Sequence, residues 1–336
     1  MNIDILAAPQ FHNGRIDAPR GIHNSGGGMS VLIDSIRACL MDRYAIRLCD
    51  DFSELSAPVC LVETCFFVSN IHDADYWGAV EHRLHEFQQY KDTHNIKVVL
   101  ICAELTLLRM LPKHRQLLLD AVDILTITDP YLKQILKAVN VLPRYYLCDA
   151  IDPTLFRPVQ KEMSVIAVGG LKYIKNVDWI IEIFKHLKGK MKRIYLGSAV
   201  LWSDEHRPED AELIPKIKQV TEDHYPNASP VEVAYHNARA AFTVNDTWHD
   251  CSCRANEELL MSGVISIHGQ HPLFNPRPGF RVKTPEAAVA KIAELTNDFT
   301  ELPDPALHQA SRDWALEHVS TQTFRHQFET IMRSLL

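Results

Sequence analysis

Short apolar runs alternate with longer amphipathic stretches along nearly the whole chain, and near residue 164 the alternation starts over from a fresh apolar run. Apolar runs too short for helices, each followed by helical spacing, predict parallel strands covered by helices. In the first half, strands are expected at 3–8, 47–50, 59–68, 97–102, 124–128 and 145–147, and helices at 29–41, 75–94 and 129–139. The pattern breaks across 149–158, where Pro153 and Pro158 bracket Asp152 and Phe156. Ser164-Val165-Ile166-Ala167-Val168-Gly169 then reads as the first strand of a second sheet, with further strands at 193–197, 241–244 and 264–268. The expectation is an α/β chain of two Rossmann-like, doubly wound domains, 1–152 and 153–315, facing each other across a cleft. The stretch 311–336 reads as one or two amphipathic helices, with a C-terminal helix at 316–336 expected to pack back towards the first domain.

Composition narrows the class. A length of 336 residues suits two domains that each bury a core, and 46% apolar with 23% charged residues is a globular balance. No apolar run approaches the roughly 18 residues of a membrane span, and Asp4 interrupts any N-terminal signal core. Cys49, Cys60, Cys65, Cys102 and Cys148 lie in apolar strand-like runs, as expected of reduced thiols in a cytoplasm. The 35 basic and 42 acidic residues give a net charge of −7, which excludes blanket affinity for nucleic acid while leaving room for a local basic groove.

Open parallel sheets bind ligands at the carboxyl ends of their strands, so the chemistry is expected in the loops that follow strands. Gly26, Gly27 and Gly28 precede a helix, where bare backbone and a helix N-terminus favour an anion; a flexible turn is the alternative. The triplet is neither a G-x-G-x-x-G fingerprint nor a Walker loop. Gly169, Gly170, Lys172, Lys175 and Asn176 lie between the first strand of the second sheet and its helix, a setting for a departing diphosphate or for two surface lysines. Asp250 and Glu258, eight residues apart, span a loop and the helix after it; they suit sugar hydroxyls, or an acidic first turn that complements the helix dipole.

Together these segments resemble the GT-B glycosyltransferases, in particular the retaining glycosyltransferase family 4. The glycine loop is similar to the family's N-domain phosphate loop, and residues 121–128 to its "A-D-x-(apolar)-x-x-x-S" strand. Asp152 to Pro158 match the junction pattern D-x-x-x-F-x-P, residues 168–176 follow "G-R-L-x-x-x-K-G/N", and residues 250–263 follow E-x7-E with its glycine ending. Three positions depart: Gly170 replaces an Arg, Asp250 replaces the first Glu, and the N-domain His is absent from residues 101–106. Residues 97–109 resemble instead the phage DNA α-glucosyltransferases, which makes Glu104 an acceptor-side candidate.

The resemblance implies sugar transfer from a nucleotide-diphosphate donor, a UDP-sugar, to a hydroxyl with retained configuration. Lys175, Lys172 and the glycine loop would stabilise the leaving diphosphate, Asp250 would orient the sugar, Glu258 would hold the ribose and Glu104 would serve the acceptor. No cofactor or metal is expected. Asp73-Ala74-Asp75 has the form of a metal motif but reads as a helix cap, and His249, Cys251 and Cys253 lack the second half of a zinc site. For the acceptor, a hydroxymethylated pyrimidine of duplex DNA would draw on Arg83, Lys91, Lys113, His114 and Arg115. A glycan, lipid carrier or small metabolite is the second reading, and a catalytically silent nucleotide-sugar-binding module the third.

Overall fold

In a parallel sheet both faces are covered, so strands read as continuous apolar runs rather than alternating ones. The computed structural model, which describes residues 1–7, 27–68, 75–102, 106–171, 175–197, 212–226, 228–247, 254–275 and 277–335, has two such sheets. The chain divides into two units, Met1–Ala150 with Thr321–Leu336, and Ile151–Ser320. The boundaries expected at 152 and 315 therefore shift to 150 and 320.

The first unit holds β1 (Asn2–Leu6), β2 (Ala45–Cys49), β3 (Val59–Glu63), β4 (Lys97–Cys102), β5 (Ile124–Ile127) and β6 (Tyr145–Tyr146), in the order β2-β1-β3-β4-β5-β6. All pairings are parallel, and β3, at the middle, is buried at every position. The strand expected to run to 68 ends at Glu63, because the chain tightens into a 3₁₀ turn, Thr64–Phe67, that sends Phe67 edge-on against Phe87. Asp75 accepts from the Gly78 N–H at 3.0 Å and caps the helix Tyr76–His94, the structural reading of that acidic triplet. The C-terminal helix starts at Thr321, not 316. It buries Phe324, Phe328, Ile331 and Met332 against the first unit, and Arg325 Nε donates to Cys39 O at 2.7 Å. The preceding helix, Pro305–His318, belongs to the second unit, where Arg312 donates to Phe156 O at 2.8 Å.

The second unit holds β7 (Glu162–Val168), β8 (Lys192–Leu196), β9 (Asp223–Tyr225), β10 (Ala240–Asn245), β11 (Ile265–His268) and β12 (Phe280–Arg281), ordered β12-β11-β10-β7-β8-β9. The chain starts at a central strand, winds outwards to β9, then crosses back to β10 on the other side of β7. Successive side chains of a strand face opposite ways, and the core follows that rule. Val165 and Ala167 pack with the helices Val177–His186, Leu213–Val220 and Pro285–Leu295, whereas Ile166 packs with Leu259 and Val233 of the opposite layer. Among the described residues no helix is long and apolar enough to cross a membrane. Cys39, Cys49, Cys60, Cys102 and Cys148 are buried.

Candidate functional site

The strand order of the second unit reverses between β7 and β10, and a doubly wound sheet opens a ligand crevice at the carboxyl ends of the strands on either side of such a reversal. Both loops singled out in the second half of the sequence leave the sheet there. β7 is followed by Gly169, whose φ of +144° suits glycine alone. Its N–H donates to Leu196 O at 2.9 Å, and a Cβ on the neighbouring Gly197 would stand 1.8 Å from Gly169 O. Two strand ends thus approach as closely as bare backbone allows.

Lys175 lies half-buried in a tight turn before the helix Val177–His186. Asn176 is the N-cap residue in left-handed conformation (φ 45°, ψ 49°), yet its side chain does not cap that helix. Its Nδ2 instead donates to Asp246 Oδ2 at 2.7 Å, linking the loop after β7 to the loop after β10. Asn176 therefore gives no side-chain cap to the helix end that attracts anions. On its other side the Asp246 carboxylate lies against the bare Cα of Gly269, where a Cβ would stand 1.9 Å from Asp246 Oδ1.

The helix Arg254–Met261 follows the second loop and buries its acids. Arg254 Nε donates to Glu258 Oε1 at 3.0 Å, one turn away, and Arg277 Nη2 donates to Glu257 Oε1 at 2.5 Å. Burial pushes the Glu258 carboxyl above its ordinary range; Arg254 opposes the shift and Glu257 adds to it. His268, at the end of β11, stacks on Phe274, and burial drives its imidazole down to about 4. Beneath these groups Asn245 Nδ2 donates to Asn256 Oδ1 at 3.0 Å, and Ser266 Oγ reaches the same oxygen at 3.2 Å.

Of the expected site residues, Gly169, Gly170, Lys175, Asn176 and Glu258 belong to this edge of the second unit. Gly27 and Gly28 open the helix Gly27–Leu40 of the first unit. Gly26, Glu104, Lys172 and Asp250 lie outside the described residues, as do Asp73, His249, Cys251 and Cys253. Asp246, Arg254 and Arg277 were not expected. The Arg254 and Glu258 spacing of four was a legible signal for a helical ion pair; the other two pairings join residues far apart in sequence.

The five basic residues expected to serve a DNA acceptor each have a partner within the first unit. Lys113 pairs with Glu81 at 2.6 Å and Lys91 with Asp123 at 3.1 Å. Arg83 and Arg115 donate to Phe66 O and Leu107 O, and His114 is buried in a stack on Trp77.

No protein-family model matches the sequence, and no curated protein matches it. Solved structures do. HepE of Anabaena in complex with UDP-glucose aligns over 100% of both chains with a TM-score of 0.69 at 10% identity. A sucrose-phosphate synthase from Thermosynechococcus elongatus covers 100% of this chain and 99% of its own at 0.68 and 11% identity. An α-glucosyltransferase in complex with UDP and a 13-mer DNA covers 99% and 100% at 0.64 and 11% identity. The fold is that of the GT-B glycosyltransferases. At such identities the likeness speaks for the GT-B architecture, and the polar groups at the β7/β10 reversal speak for where its chemistry would lie.

Proposed function

We propose that the chain is a glycosyltransferase that transfers a sugar from a UDP-sugar to a hydroxyl acceptor with retained configuration. The observation that carries this reading is the pairing, at one strand-order reversal, of a strand that exits through Gly169 with a helix whose N-cap residue, Asn176, makes no side-chain cap. Breaking the glycosidic bond leaves the electron pair on the β-phosphate oxygen while positive charge grows on the sugar carbon. The N-terminus of the helix Val177–His186 and the Lys175 ammonium would stabilise that diphosphate, and Glu258, steadied by Arg254, would accept hydrogen bonds from the ribose. Lys172 and Asp250 are proposed for the diphosphate and the donor sugar, and Glu104 for the acceptor hydroxyl. The UDP-bound neighbours support the donor.

For the acceptor, the first reading is a 5-hydroxymethylpyrimidine of duplex DNA, supported by the likeness of residues 97–109 and by the DNA-bound neighbour. A soluble sugar or glycan hydroxyl is the second reading, favoured by the internal engagement of Arg83, Lys91, Lys113, His114 and Arg115.

The test is UDP release from a panel of UDP-sugars, without acceptor and then with hydroxymethylated DNA, plain DNA or free sugars. An active transferase releases UDP and gains rate with one acceptor; a silent module binds and releases none. Lys175→Ala is expected to lower turnover about a hundredfold with little effect on folding. Unchanged kinetics would remove this lysine from the mechanism.

A further inference from the structure

We propose that Asp246 is a positioning residue for the donor diphosphate, acting through Asn176. The inference rests on the nucleotide-sugar reading and adds to it a residue outside every motif quoted above.

An asparagine at a helix N-cap ordinarily turns its side-chain oxygen back onto the N–H of the second or third helical residue. Asn176 forgoes that bond. Its amide nitrogen crosses to Asp246, 70 residues along the chain, at 2.7 Å. Three consequences follow from the geometry. The left-handed turn at residue 176, sparsely populated for a residue with a Cβ, is fixed from outside its own loop. The helix Val177–His186 receives no cap from the Asn176 side chain, while the Asn176 carbonyl accepts from Trp179 N–H at 3.0 Å. Finally, the exit of β7, which carries Lys175, is tied to the exit of β10.

The carboxylate itself is held from behind. Gly269 N donates to Asn245 O at 3.0 Å, which brings residue 269 beside the start of the β10 loop, and a Cβ there would stand 1.9 Å from Asp246 Oδ1. The φ of Gly269 lies outside the left-handed region, so another residue meets no backbone strain at this position. The three atoms nearest such a Cβ all belong to the Asp246 carboxylate.

This arrangement yields a test with parts that a merely structural role would not pass. UDP and uridine binding are measured by calorimetry on the full chain, with thermal unfolding as a check on each variant. Asp246→Ala and Asn176→Ala are each expected to weaken UDP binding about tenfold while leaving uridine affinity unchanged, because the loop serves the diphosphate. The double variant should be no weaker than either single one, since both remove the same bond. Asp246→Asn, whose amide oxygen can still accept from Asn176, should stay within about threefold of wild type. Gly269→Ala deletes no polar group, yet should reproduce the Asp246→Ala defect by displacing the carboxylate.

Equal loss of UDP and uridine binding, or additive single effects, would overturn the proposal, as would wild-type UDP affinity in a folded Asp246→Ala. Wild-type protein that binds neither UDP nor a UDP-sugar would sink the donor reading itself, a result distinct from all of these.

Discussion

Asp4 in the first unit and Glu258 in the second are both buried carboxylates beside an arginine, and their carboxyl groups shift in opposite directions. Burial works against the charge of each. At Asp4 it is more than offset. Arg47 donates through Nε at 3.0 Å and Nη2 at 2.8 Å, and the N–H groups of Ala57 and Ser56 donate at 2.8 and 2.7 Å, so the carboxyl lies below its ordinary value. At Glu258 burial prevails over the bond from Arg254, and Glu257 repels the charge further, so the carboxyl lies above its ordinary value. Both oxygens of Asp4 are committed to holding β1 against the chain around residues 47–57. Glu258 has one side-chain partner among the described residues, and its burial works against the charged form. That is the condition of an acid poised for something other than packing.

The contrast can be broken at either end. The largest effect is expected from Asp4→Ala, which leaves two backbone N–H groups and a guanidinium without their acceptor. A loss of about 4 kcal/mol in denaturant unfolding should follow, with UDP affinity unchanged in the folded fraction.

A second test is an acid limb set by His268. Its folded value of about 4 lies below the ordinary 6.5, so the unfolded chain takes up the proton first. Stability from this group is complete above pH 6.5, falls by about 3 kcal/mol as pH drops towards 4, and changes no further below that. His268→Gln should flatten this limb; an unaltered limb would refute the assignment.

Lys161 extends the same theme. Its ammonium donates to Ala238 O at 3.0 Å and Ser262 O at 2.8 Å, and burial, with Arg312 nearby, lowers it to about 7. The folded state therefore sheds this proton before the unfolded chain does, and stability should rise between pH 7 and 10. Lys161→Met should remove that rise.

The smallest change in stability, under about 1 kcal/mol, is expected for Glu258→Gln, whose amide can still accept from Arg254. It should nevertheless raise the UDP-sugar KM about tenfold with little change in kcat. If stability falls as far as in Asp4→Ala, the two acids are alike and the comparison fails.

Much of the architecture could be read from the chain. The restart at Ser164 marked the second sheet, the glycines after β7 marked its exit, and the apolar runs marked most of the strands. β9 and β12 escaped because a charged residue, Asp223 or Arg281, sits within each short edge strand, whereas β6 is read from the apolar run Tyr145-Tyr146-Leu147. The run from Val59 hid the 3₁₀ turn after Glu63, since Phe66 and Phe67 are as apolar as the strand before them. In the site, Asn176 and Glu258 were legible through the family pattern. Asp246 was not, because its role depends on the strand order that places β10 beside β7, a fact that no local window contains. Nor could five basic side chains in the first half reveal that each is occupied inside its own fold.

Ile151 and Ser320 form a parallel bridge, and Ile151 N–H donates to Val319 O at 2.8 Å, so the two ends of the second unit are already fastened together. A segment whose entry and exit lie side by side can be lifted out as one piece, or spliced into another host, without stretching its backbone. The same closure favours a circularly permuted chain that joins residues 320 and 151 through a short glycine linker and opens at a surface turn elsewhere.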